Sequence, residues 1–259
     1  MDISESFQIY LHSAYADSYN NGTLNSNCTF ILPTIEIDSQ YHIHLSVQSA
    51  SIPVSYYNIN NNNNYIYYIT YSGAIGTIRQ IYIPIGNYTI TQLVTTLNSV
   101  LPTISVTYNS QTNKMQLTTT QDSFLISYDP INIVLKSTSL ALFGLSNANH
   151  YSASKIINSD ICCNLSPIRM YCICSNLKTG NMNLCSPLHQ NVLCQIPIDV
   201  NRYGIVNYVN TNNFKSNLYT NTISNITIMI HDQDSNPIDL NGCNWSMALQ
   251  LDVVKYVTA

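Results

Sequence analysis

Apolar and polar residues alternate along several stretches of this chain, which is the pattern of β-strands with one buried face. The alternation is clearest in residues 7–11, 41–47 and 226–230, and it continues through most of residues 245–253. Short strands divided by turns predict a mainly β protein, built as an antiparallel β-sandwich. The pairs of turn-forming residues are Asn21-Gly22, Asp129-Pro130, Asn236-Pro237 and Asn241-Gly242.

Residues 88–101 follow the period of an amphipathic helix instead. Asn87 or Thr89 can cap the start of this helix, and Pro102 stops it. The apolar residues that recur on one helix face are Ile90, Leu93, Val94, Leu97 and Leu101.

The sequence around this helix predicts further short elements. Residues 104–108 and 114–119 are expected to pair as a hairpin, and residues 139–145 to form a helical turn or two that ends at Gly144. The asparagine-rich run 58–64 is expected to be an exposed loop tip. A small mixed unit is therefore predicted between two β-rich parts of the chain.

Composition adds an unusual surface to this picture. Only 8% of the 259 residues are charged, the formal net charge is −4, and 45% are hydrophobic. A typical soluble domain carries roughly 25% charged residues. Neutral Asn, Ser, Thr and Gln, together with 20 Tyr, must cover much of the surface. A surface with so few charges repels other copies weakly, which favours association.

The same numbers argue against two classes of partner. Nine Lys and Arg in total do not form the basic footprint that nucleic-acid binding needs. No apolar run reaches the roughly 18 residues of a membrane span, so no direct membrane insertion is expected. The start, MDISESFQIY, lacks the basic flank and apolar core of a signal peptide, so folding in the cytosol is expected.

The sequence lacks the common motifs of phosphate-binding and catalytic sites. It has no glycine-rich phosphate loop, no GxSxG and no HExxH. His42 and His44 share one face of a strand and can bind a metal if a carboxylate joins them, although such pairs more often face solvent. Asp232 and Asp234 fit a capped β-turn better than a cation site. We therefore expect no enzyme, and no catalytic, cofactor-binding or metal-binding residues.

The eight cysteines leave three alternatives open. The one-residue spacing of Cys172 and Cys174 and the adjacent pair Cys162-Cys163 do not match the CxxC spacing of structural zinc sites. Free, mostly buried thiols are favoured over later disulfides, and both are favoured over zinc. The full set is Cys28, Cys162, Cys163, Cys172, Cys174, Cys185, Cys194 and Cys243.

Several stretches resemble capsid proteins of large DNA viruses, virophages and Polinton-like elements. Residues 41–58, YHIHLSVQSASIPVSYYN, resemble an early strand with an "A-x-I-P-x-S-x-Y-N" exit, and residues 85–98 resemble a "G-N-Y-T" helix. The similarity continues in the same order through residues 108–117, Phe143-Gly144-Leu145 and the final strand at residues 239–251. Together these stretches cover roughly half the chain.

This resemblance implies a penton or minor capsid protein with a single jelly roll, located in the virion. The jelly roll is then expected from residues 1–70 and 150–259, with residues 71–149 as an inserted unit that carries the helix. The chain is too short for the two jelly rolls of a major capsid protein. Expected partners are further copies of this chain, with a pentamer favoured, the major capsid protein and other minor capsid proteins.

Two other functions remain open on the sequence. One is a virion surface spike or lectin-like module, which would bind glycans through Tyr and Asn side chains near residues 60–68. The other is a hydrolase on a β scaffold. Such an enzyme would need a cleft that gathers some of His42, His44, Asp232 and Asp234 around one point.

Overall fold

The computed structural model describes residues 3–20, 25–128, 137–166, 168–181 and 191–255. The chain divides into two compact units: Met1–Tyr56 together with Ile168–Ala259, and the intervening Tyr57–Pro167. The turn pairs Asn21-Gly22 and Asp129-Pro130 and the cysteine Cys185 lie outside the described residues.

Short strands dominate both units. In chain order the elements are β1 (Ile3–His12), a 3-10 helix (Ser13–Tyr15), β2 (Ser18–Tyr19), β3 (Asn27–Glu36), β4 (Tyr41–Pro53), β5 (Tyr65–Ser72), β6 (Ile75–Tyr82), α1 (Ile90–Val100), β7 (Ile104–Asn109), β8 (Lys114–Thr119), β9 (Ser123–Ile126), α2 (Leu140–Phe143), β10 (His150–Ser152), β11 (Ile156–Asn158), β12 (Met170–Ser175), β13 (Val192–Pro197), β14 (Ile205–Val209), β15 (Ser216–Asn217), β16 (Thr222–His231) and β17 (Ser246–Lys255).

The first unit contains two antiparallel sheets with the strand order of a jelly roll. One sheet runs β1-β17-β4-β14, with β15 also paired to β4, and the other runs β13-β12-β16-β3-β2. Without the two-residue strands β2 and β15, the described part of the first unit has eight strands in its two sheets, and these can be numbered 1 to 8 in chain order: β1, β3, β4, β12, β13, β14, β16 and β17. They then form sheets of order 1-8-3-6 and 5-4-7-2. This arrangement of two interleaved sheets is the jelly-roll sandwich.

The core of the first unit lies between the two sheets, where side chains of both inner faces meet. Leu45 and Leu249 from one sheet join Ile173 and Ile228 from the other in a single buried cluster. Trp245, which is 1% exposed, packs edge-on against Phe30 with ring centroids 6.0 Å apart. The predicted antiparallel sandwich is thus confirmed, and the alternating stretches of the sequence lie in β1, β4, β16 and β17.

The second unit is built around the predicted helix. α1 begins after Thr89, whose hydroxyl accepts a hydrogen bond from the backbone of Gln92. The Gln92 side chain returns a bond to the Thr89 backbone, which completes a capping box. Leu93 and Leu97 face a core shared with strands of a four-stranded sheet, β10-β9-β5-β6, and a three-stranded sheet, β11-β8-β7. The predicted helix and the β7–β8 hairpin are both confirmed.

Tyr57–Pro167 contains the range 71–149 that the sequence predicts for an inserted unit, and it extends beyond that range at both ends. The reason is non-local pairing. β5 pairs with β6 and β9, and β11 pairs with β8, so strands on both flanks belong to the same compact unit. No helix within the described ranges is both long enough and apolar enough to cross a membrane.

Candidate assembly surfaces

Each sheet of the jelly roll ends in strands whose outer side is unpaired over the described residues. β1 and β14 end one sheet, and β13 ends the other. At the fourth end, β2 and the residues beside it bond to residues 27–31 of β3, and the outer side of residues 32–36 has no strand partner among the described residues. Unpaired strand edges are natural places for contact with another chain.

The first surface, here called the β1–β3 edge, joins the ends of both sheets. A groove of about 440 Å³ runs between the two strands. Ile31 beside it is 71% exposed, and Tyr10 is 75% exposed. The groove is lined by Phe7, Gln8, Ile9, Leu32, Pro33, Thr34, Ile35 and Glu36.

A bulge in β3 explains why this edge is open. Ile35 pairs with Ile223 and Ile31 pairs with Asn225, so residues 32–34 of β3 face the single residue Ser224 of β16. Pro33 within the bulge has no backbone N–H to donate to a neighbouring strand. Such bulges bend a strand out of its ladder. The edge therefore offers side chains rather than a continuous row of backbone donors.

The second surface, the β13–β14 edge, lies at the opposite end of both sheets. On β14, Ile205 is 55% exposed and Val209 is 64% exposed, whereas Val206 is buried. Phe214, in the segment after β14, is 50% exposed. Phe214 also lines a hollow of about 450 Å³, together with Asn181, Val192, Leu193, Cys194, Gln195, Tyr208 and Asn212.

Few charged residues line the groove and the hollow. Among their lining residues, Glu36 is the one Asp, Glu, Lys or Arg. Burial of such surfaces against another chain removes apolar area from water without desolvating many charges. The two edges can therefore form contacts whose strength depends little on salt.

No protein-family model and no curated protein matches this chain. Among solved structures, the chain is similar to the crystal structure of the mavirus penton protein, with a TM-score of 0.49 and 11% sequence identity. The similarity covers 96% of this chain and 100% of that one. The jelly-roll assignment itself follows from the strand order of this chain and does not depend on the alignment.

The histidines and aspartates singled out in the sequence lie in two separate places. His42 and His44 are together on β4, with their Nε2 atoms 2.9 Å apart. Asp232 and Asp234 follow β16 in the other sheet. Within the described ranges, no group of three or more His, Cys, Asp or Glu side chains is placed to hold a metal ion.

Asp232 forms the capped turn that the sequence predicts. Its carboxylate accepts hydrogen bonds from the backbone amides of Asp234 and Asn236, at 2.9 and 2.8 Å, and from the Asn236 side chain at 3.0 Å. Three bonds of this kind hold the turn after β16 in place. The carboxylate is therefore used in structure rather than displayed in a cleft.

The cysteines of the described residues are free thiols. Cys28, Cys172 and Cys174 are buried, whereas Cys162 and Cys243 are exposed. Burial raises the pKa of Cys28 to about 11 and that of Cys174 to about 12. These buried thiols are therefore protonated and unreactive at neutral pH.

The asparagine-rich run 58–64 is only partly a loop tip. Asn58 is 1% exposed and ties segments of the second unit together. Its side chain accepts a bond from the Tyr88 amide and donates to the carbonyls of Tyr88 and Leu165. The side chains of Asn60 and Asn63 also bond to nearby backbone. These amides are engaged within the chain, which leaves few of them to bind a glycan.

Proposed function

We propose that this protein is a non-enzymatic structural component of a virion, a penton or another minor capsid protein. It assembles with copies of itself, with a pentamer favoured, and with the major capsid protein and other minor capsid proteins. Its mechanism is geometric: a jelly roll presents two complementary sides to its neighbours. The apolar, nearly uncharged edges at opposite ends of the sandwich carry this proposal.

Two different edges at opposite ends are what a ring requires. In a cyclic assembly of more than two subunits, one patch of each subunit contacts a different patch of the next. The β1–β3 edge and the β13–β14 edge supply such a pair, each with exposed isoleucine and a neighbouring hollow. An isologous dimer needs only one of them.

The sequence resemblance supports the same proposal. Of the stretches that resemble capsid proteins, residues 41–53 form β4, residues 90–98 lie in α1 and residues 246–251 lie in β17. Two of these elements are central strands of the jelly roll and the third is the helix of the second unit. The resemblance therefore covers both units and does not rest on one local motif.

Complementary edge variants test the proposal in solution. Ile31→Ser alters the β1–β3 edge and Ile205→Ser alters the β13–β14 edge. Full burial of an isoleucine side chain is worth about 1.5–3 kcal/mol, and Ile31 is 71% exposed, so each variant is expected to lose about 1–2 kcal/mol per contact. This is a loss of about 5- to 30-fold in association. Ile78→Ser, 58% exposed on β6 of the second unit, is the matched control.

A mixture of the two edge variants distinguishes a ring from other contacts. Each variant keeps one intact edge, so a mixed pair forms one wild-type contact, whereas every further contact involves at least one altered edge and is weaker. Sedimentation velocity is expected to show rings for the wild type and Ile78→Ser, weakened assembly for each edge variant, and more dimers in the mixture than in either variant alone. Edge variants that assemble as well as the wild type would contradict the proposal.

A further inference from the structure

A pair of histidines stands close together on the outer face of the β1-β17-β4-β14 sheet. His42 and His44 are two residues apart on β4, while Ile43 and Leu45 point the other way into the core. The two imidazole rings have centroids 4.7 Å apart and planes at 60°, and their Nε2 atoms are 2.9 Å apart. His44 is 8% exposed and His42 is half-buried.

A salt bridge lies next to the pair. Asp252 on β17 is directly opposite His44 in the ladder, and its carboxylate accepts a hydrogen bond from Lys215 at 2.6 Å. The same carboxylate accepts bonds from Ser6 and Gln250 at 2.7 and 2.8 Å. Since the lysine cation is matched by the aspartate anion, little net charge acts on the histidines.

We infer that His42 and His44 chelate a divalent transition-metal ion through their two Nε2 atoms. Imidazole nitrogens bind such ions at about 2.0–2.1 Å. Two such bonds at right angles place the nitrogens about 2.9 Å apart, whereas tetrahedral bonds place them about 3.3–3.4 Å apart. The observed 2.9 Å is the length of the hydrogen bond between the metal-free rings, and it already lies close to the separation that square or tetragonal coordination of Cu²⁺ or Ni²⁺ requires.

Water completes the coordination of this ion. Within the described ranges, no third His, Cys, Asp or Glu joins the pair in a metal-binding group. The Asp252 carboxylate is already engaged by Lys215, Ser6 and Gln250 and is not one of the ligands. The site is consequently a two-ligand chelate with open positions on the outer face of the sheet.

The hydrogen bond between the two rings suits this role, because metal ions bind neutral imidazole. Without metal, one Nε2–H donates to the other Nε2. When both Nε2 atoms coordinate, the donating ring carries its proton on Nδ1 instead, so no proton is gained or lost.

Copper titration of the full chain tests the site. The exposed thiols Cys162 and Cys243 are first alkylated, because thiols reduce Cu²⁺. Cu²⁺ alone is then added at pH 7.5 and followed by calorimetry and electron paramagnetic resonance. The expected result is binding with nitrogen hyperfine structure from two imidazoles.

Single histidine variants locate the binding. His42→Gln and His44→Gln are each expected to weaken it by at least about tenfold, since loss of an outer-shell partner alone typically costs 10- to 100-fold. His12→Gln, an exposed histidine on β1, is the control and is expected to bind like the wild type. Circular dichroism melts without copper check that each variant is folded.

Two results overturn the inference. One is a folded His42→Gln or His44→Gln variant with wild-type copper affinity, which would place the ion elsewhere. The other is a resonance spectrum of the wild type with a single nitrogen ligand. A wild-type affinity that falls as the pH drops from 7 to 5 supports it further, because protons then compete for both rings.

Discussion

Gly144 offers a sharp test of packing in the second unit. It ends α2 in the left-handed conformation, with φ of 71°, and its amide donates to the carbonyls of Ala141 and Leu140. A Cβ atom built there would lie 2.4 Å from the carbonyl oxygen of Ile161 and 3.1 Å from the Cys163 amide nitrogen. Since both are backbone atoms, they cannot move aside cheaply.

The expected cost of Gly144→Ala has two parts. The left-handed conformation costs any L-residue about 1–2 kcal/mol. The clash adds about 1–3 kcal/mol, as other over-packed core positions do. Gly73→Ala is the matched control, since Gly73 also has a positive φ, of 57°, but nothing within 4 Å of the added Cβ. Gly144→Ala should therefore destabilise the second unit by about 1–3 kcal/mol more than Gly73→Ala.

Hydrogen exchange is the suitable assay, combined with urea unfolding followed by circular dichroism. The chain has one tryptophan, Trp245, and it lies in the first unit, so its fluorescence does not report on the second. Exchange of amides in α1 and β8 reports on the second unit directly. If the two variants lose the same stability to within about 0.5 kcal/mol, the close approach of Ile161 to Gly144 is refuted.

Three further outcomes are expected. Burial and the nearby His42 lower the pKa of His44, so the folded state binds fewer protons than the unfolded state. The free energy of unfolding should therefore fall as the pH drops below about 6.5, which is the pKa of histidine in the unfolded chain. Urea midpoints between pH 7.5 and 5 should fall less for His44→Gln than for the wild type. Cys162 should react with a maleimide in the native protein, whereas Cys28, with its pKa of about 11, should react only after unfolding, as mass spectrometry can measure. Leu97→Ala, at a fully buried position of α1, should cost about 2–5 kcal/mol in urea unfolding, and a cost below about 1 kcal/mol would contradict its place in the core.

Local signals were sufficient for some of the regular elements of this fold, although strands such as β5, β6 and β12 were not predicted. The Thr89–Gln92 capping box and the apolar spacing of α1 both involve neighbours in sequence, and so does the stop at Gly144. Alternation likewise predicted the strands that contain residues 7–11 and 245–253. These features depend on periods of two or 3.6 residues, which a single sequence displays.

Non-local pairing decides the features that the sequence did not predict. Which strands end a sheet depends on partners far away in the chain, so the two edges could not be located. Pro33, in the apolar run of β3, was an available signal, because proline within a strand favours an edge or a bulge. The burial of Asn58 depends on Tyr88 and Leu165, and nothing near it in sequence indicates those contacts.

The candidate surfaces likewise combine features that are visible locally in the sequence with features that depend on non-local pairing. The shared face of His42 and His44 is visible in the sequence, but the position of Asp252 opposite His44 depends on the register between β4 and β17. The low charge of the chain predicted a surface that associates. The structure shows where exposed apolar residues lie on strands that end a sheet within the described ranges. Ile31 is such a residue on one edge, and Ile205 is one on the other.

The solution mass of the full, reduced protein tests the central claim most directly. Light scattering over a range of concentration and salt is expected to show a closed ring, with a pentamer favoured. Its mass should change little between low and high salt, because a single charged residue lines the groove and the hollow of these edges. A monomer at every concentration, or an assembly that salt dissolves, would contradict the proposal that these two edges join the subunits.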